Sequence, residues 1–78
     1  MWSGPVPVMA VKPIQRLLIC SLHEALVCLR DHWPEEKFGE SLYNEALKLC
    51  TEAERGERYQ GAARDAFIAA ARQAGILG

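Results

Sequence analysis

Pro5 and Pro7 alternate with apolar residues in the stretch Pro5-Val6-Pro7-Val8-Met9-Ala10-Val11. A proline has no backbone N–H to donate to a neighbouring strand, so this stretch reads as a strand only at the edge of a sheet. Lys12-Pro13 follows as a turn signal. Ile14-Gln15-Arg16-Leu17-Leu18-Ile19-Cys20 is rich in β-formers and reads as a second strand. The two suggest a hairpin. Lys12-Pro13 lacks the Gly or Asn that a tight two-residue hairpin turn prefers, so the register stays open.

The pattern then changes to a helical period. Ser21-Leu22-His23-Glu24 is a capping box, in which the Ser21 hydroxyl accepts from the Glu24 N–H and the Glu24 carboxylate reaches back to Ser21. Leu22, Ala25, Leu26, Leu29 and Trp33 recur at helical spacing and form the buried face of a first helix. Pro34 stops it, because the residue before a proline leaves the helical region. Glu35-Glu36-Lys37 reads as a charged loop. A second helix begins near Gly39 or Glu40, with the stripe Leu42, Tyr43, Ala46, Leu47, Cys50 and Ala53, and Gly56 suits its left-handed C-terminal cap. A third starts near Arg58 without a good N-cap. It presents Tyr59, Ala63, Ala66, Phe67, Ala70 and Ala74, and ends at Gly75 with Ile76 folding back.

The expected architecture is α+β: a β-hairpin followed by three packed helices, residues 5–78 forming one small domain behind a flexible arm, residues 1–4. A chain of 78 residues buries only about 60% of its unfolded surface, and a lone hairpin is marginal in water. Helices on one face, or strands from a second copy, must support it. Alanine wraps most of the third helix, so a homo-oligomer through helices two and three is one expectation, with Ala69 on the outward side.

Net charge is −1, and no basic stripe exists to meet a phosphate backbone, so no nucleic acid is expected. No apolar run approaches the roughly 20 residues that span a bilayer, so no membrane is expected either. The proline-broken N-terminus does not read as a signal peptide. Cys20, Cys28 and Cys50 are odd in number, widely spaced and set in apolar segments, which fits reduced thiols in the cytoplasm.

Trp33-Pro34, Gly39, Ala46-Leu47 with Cys50, Gly56, Ala63-Arg64 with Phe67, Ala70-Ala71 and Ala74-Gly75-Ile76 form an ordered series over residues 5–77. In this the chain resembles the small bacterial proteins grouped as domain of unknown function 982. The resemblance implies a stand-alone cytoplasmic protein, with no assigned activity and so no catalytic residues to carry over. Members tend to have a longer, Gly-containing connection where Lys12-Pro13 stands here.

Candidate chemistry gathers on the first helix. Glu24, Cys28 and His32 stand at i, i+4 and i+8 and line one flank, with Asp31 beside them. A carboxylate, a thiolate and an imidazole could hold a zinc ion or activate the thiol. Against this, Glu24 is occupied as a cap, Cys28 borders the core, and metal sites usually announce themselves with closer paired ligands. Arg58 and Arg64 could bind an anion or an acidic partner, or else form surface salt bridges. Trp33 reads as a core plug, while Trp2 on the arm has no evident pocket. There is no glycine-rich phosphate loop, no Ser-His-Asp set and no HExxH motif, so no catalytic residue and no cofactor is expected. The reading that follows is a non-catalytic interaction module for a protein partner or a second copy. Its surfaces would be the proline-rich edge strand with Val6 and Val8, or the alanine face with Ala69. The alternative is a metal- or ligand-binding protein using the Glu24, Cys28 and His32 flank.

Overall fold

A computed structural model describes residues 4–11 and 14–77. The expected Lys12-Pro13 turn, Trp2 and most of the N-terminal arm lie outside the described residues. Strands β1 (Val6–Val11) and β2 (Ile14–Ile19) pair antiparallel and are followed by helices α1 (Leu22–Asp31), α2 (Ser41–Glu54) and α3 (Gln60–Ala74). The register that the turn residues left open runs from Val6 opposite Ile19 to Val11 opposite Ile14. It places Val6, Val8, Leu17 and Ile19 on one face, toward the helices, and Pro7, Met9, Arg16 and Leu18 on the other.

The two helix boundaries with the clearest chemistry fall where expected. Ser21 is extended and its hydroxyl accepts from the Glu24 N–H at 3.2 Å. The return contact is displaced by one residue: the Glu24 carboxylate accepts from the Cys20 N–H at 2.7 Å rather than from Ser21. Loss of this cap by Ser21→Ala should cost about 1 kcal/mol; a thermal melt in which the variant matches the parent would show that the helix start is held by packing alone. At the other end of the chain Gly75 takes φ 75°, and Ile76 donates back to the Ala71 carbonyl at 3.0 Å. Ile76 is thereby buried against the core.

The other two starts fall close to expectation. The charged loop contains a 3-10 turn, Glu35–Lys37, and α2 follows from Ser41 with Glu40 as its N-cap. α3 begins at Gln60, two residues after Arg58, because neither Arg58 nor Tyr59 offers a capping side chain.

The core lies between the inner face of the hairpin and the three helices. Trp33 occupies its centre, with ring centroids 5.8 Å from Tyr43 and 5.9 Å from Phe67. It therefore plugs the junction of all three helices, not only that of α1 and α2. The Tyr43 hydroxyl donates to the Leu29 carbonyl at 3.0 Å, tying α2 to α1. Ala46, Ala53, Ala63, Ala70 and Ala71 are all buried, so much of the alanine is spent on close packing inside the domain. Ala69 remains half-buried on α3.

Candidate functional site

The most distinctive feature of the surface is the asymmetry between the two edges of the hairpin. On the β1 side the edge is closed. Met9 donates to the Ile76 carbonyl at 2.8 Å, and Val8 bridges Leu77 antiparallel. The C-terminal residues thus lie along β1 as a short third partner. Because the Met9 N–H points away from β2, alternation of the antiparallel ladder makes Met9–Arg16 and Pro7–Leu18 the non-hydrogen-bonded pairs. Pro7 therefore sits at the phase where its missing donor faces outward, the position a strand proline tolerates.

The same phase fixes what β2 offers. The N–H and C=O groups of Arg16 and Leu18 point away from β1, along an edge to which no other strand pairs among the described residues. Ile14 and Leu18 beside it are 80% and 59% exposed. Such an edge is a template for pairing with another chain. Next to it lies a groove of about 400 Å³, walled by Leu17, Leu18 and Ile19 of β2 and by His23, Glu24, Val27, Cys28 and His32 of α1. A strand added to β2 would direct alternate side chains into this groove.

The expected edge was the other one. Val6 and Val8, proposed as interaction residues on β1, have their side chains in the core, and the backbone beyond them is covered by prolines and the C-terminal segment. Neither side chain can meet a partner.

The flank of Glu24, Cys28 and His32 lines the groove. The three do not converge on a point, and no group of three or more His, Cys, Asp or Glu side chains among the described residues is placed to hold a metal ion. Glu24 is engaged by the Cys20 N–H. Burial pushes the Cys28 thiol up to about 11, so it is a neutral, apolar wall and not a thiolate. The Cys50 thiol is also pushed up to about 11, by burial first and by the charge of Glu54 second. It lies against α3, with Sγ 3.8 Å from the Ala63 carbonyl, and contributes nothing to the groove.

Arg58 and Arg64 are not brought together as an anion site. Arg58 Nε and Nη2 donate to Glu52 Oε1 at 3.0 and 2.8 Å, and this hydrogen bonding holds the Glu52 carboxyl below its ordinary range. Glu52, rather than Glu54, Glu57 or Asp65, is the partner because the cap at Gly56 turns Arg58 back over the last turn of α2. Arg64 Nε donates to the Gly4 carbonyl at 3.3 Å and so ties the residues just before β1 to α3. The β2 edge itself escaped the sequence reading. The phase of Pro7 would have revealed it, but only once the register was known.

A two-stranded hairpin laid on three helices, with one edge closed by the C-terminal residues, defines a small α+β domain. The family described as protein of unknown function DUF982 matches residues 5–78, and the chain belongs to it. No curated protein and no solved structure matches the chain. No helix among the described residues is long and apolar enough to cross a membrane.

Proposed function

We propose that this protein is a non-catalytic interaction module that captures an extended polypeptide segment by strand addition at β2. The observation that carries this is the edge at Arg16 and Leu18, to which no strand pairs among the described residues and where the Leu18 carbonyl is met by a weak donor, the Cys20 thiol, at 3.7 Å; it lies beside an apolar groove, on a sheet whose other edge is already closed. Main-chain hydrogen bonds would supply affinity, and the groove would select alternate side chains. Apolar residues suit its floor of Leu17, Ile19, Val27 and Cys28; His23 and Glu24 bound it with polar groups. The alternative face on α3 is less suited. Ala69 is half-buried and flanked by the exposed Asp65, Arg72 and Gln73, which break any apolar surface there. The free thiols of Cys20, Cys28 and Cys50 support work in the reducing cytoplasm.

A selection of displayed random peptides against the purified protein tests the reading. Binders should alternate apolar and variable residues, and their binding should slow amide exchange at Arg16 and Leu18. Binders that leave those two amides exchanging as in the free protein would place the docking surface elsewhere.

A further inference from the structure

We infer that the segment added at β2 is β2 of a second copy, joined about a two-fold axis to make one antiparallel four-stranded sheet with Leu17 opposite the second copy's Leu17. This rests on the strand-addition reading above and names its partner.

Arg16 and Leu18 present their N–H and C=O groups outward, so a self-pairing must set these residues opposite one another in hydrogen-bonded pairs. A two-fold axis normal to the sheet also keeps the inner face inner, so only residues of the same face can oppose. Few registers meet both conditions. One sets Arg16 against the second copy's Arg16, which places like charges directly opposite and is disfavoured. The next sets Arg16 against Leu18 in both directions and centres the axis on Leu17. That register makes both hydrogen-bonded pairs and opposes no like charges, since Arg16 is the only charge on β2. The aliphatic stem of Arg16 then covers the second copy's Leu18, which is 59% exposed in the single chain.

Packing agrees with this register. The Leu17 side chain faces the helices and walls the groove. Across the axis, the second copy's Leu17 lies on the same inner face and enters the groove beside Val27. The residue that walls the groove thus also enters it from the second copy, so one side chain serves both sides of the two-fold interface. The result also turns a marginal two-stranded sheet into four strands with covered edges on both outer sides, each closed by its own C-terminal residues.

The test joins mass with register. Sedimentation of the intact protein from micromolar to millimolar concentration should show a monomer passing to a dimer, with Arg16 and Leu18 amides protected in step. Arg16→Pro removes an outward donor, at the phase Pro7 occupies on β1, and should leave a folded monomer at every concentration. If that variant does not fold, Leu18→Lys on the outer face serves the same purpose. In a Cys20→Ser background, Leu17→Cys should form an intermolecular disulfide under mild oxidation, because opposed residues in a non-hydrogen-bonded pair stand about 4.5 Å apart at Cα. A protein monomeric throughout overturns the second copy as partner, while strand addition itself is judged separately by the peptide selection. A dimer that persists in both Arg16→Pro and Leu18→Lys overturns the β2 interface. A dimer lost in those variants that forms no Leu17→Cys disulfide overturns the register.

Discussion

Trp33→Ala is expected to remove a large share of the stability of the fold. Removing a buried aromatic side chain down to alanine costs about 3–5 kcal/mol, as lost transfer energy plus the cavity left behind. At the usual stability per residue, a chain of 78 residues holds about 4–12 kcal/mol in total. The site has little means to collapse, because Trp33 contacts rings from α2 and α3 at once and α1 ends beside it. Trp33→Phe is the informative companion. It keeps an aromatic ring between Tyr43 and Phe67 and deletes the indole N–H, which is buried without a hydrogen-bond partner. A buried donor left unsatisfied costs about 1–3 kcal/mol, so its removal offsets part of the lost packing. Urea unfolding followed by circular dichroism should rank the parent first, Trp33→Phe second and Trp33→Ala last by a wide margin. A Trp33→Ala midpoint close to that of the parent would show that the junction of the helices is held by something other than this ring.

The second large effect is a loss of stability in alkali, centred on two thiols that do no chemistry. Cys28 and Cys50 are held up to about 11 in the folded protein, against an ordinary value of 9.0. The sign follows directly. Below pH 9 both states carry the neutral thiol and its stabilising burial is complete. Between pH 9 and 11 the unfolded chain loses the proton while the folded chain keeps it, so unfolding becomes easier as pH rises. At about 1.4 kcal/mol for each pH unit, each thiol accounts for roughly 3 kcal/mol across that window. Together they rival the whole stability of so small a domain. Tyr43, also raised by burial, adds a loss of the same sign. Urea midpoints measured from pH 7 to 11 should therefore fall steeply above pH 9, and Cys28→Ala and Cys50→Ala should each flatten the decline. A parent protein whose midpoint holds steady to pH 11 would mean that these thiols reach solvent and ionise in the folded state.

Both predictions concern residues the sequence had already marked. Trp33 and most of the apolar stripes of the three helices were legible because helical periodicity is local: a residue's neighbours three and four places away decide its face. Tyr59, read onto the face of α3, instead stands at its N-cap and is 82% exposed. The stops at Pro34, Gly56 and Gly75 were legible for the same reason, as each depends on the backbone of one residue. The flank of Glu24, Cys28 and His32 was found correctly as a flank, and its place beside a groove agrees with that. The capping role of Glu24 already spoke against a metal there; that its carboxylate takes the Cys20 amide and not that of Ser21 was not legible, because it depends on side-chain rotamers.

The sequence by itself determined the order of elements, the faces of the helices and the presence of an edge strand, since proline chemistry and periodicity act within a few residues. Only the tertiary structure decided which edge of the hairpin is available. A contact from Met9 to Ile76 joins residues at opposite ends of the chain, and a bridge of so few residues leaves no periodic trace. The same folding buried Val6 and Val8, occupied Arg58 with Glu52 and Arg64 with Gly4, and left Arg16 and Leu18 facing outward. One proline phase and one long-range hydrogen bond thus moved the candidate docking edge from β1 to β2. Local sequence specifies what each strand can do, and only chain closure in space settles which of those capacities is already used.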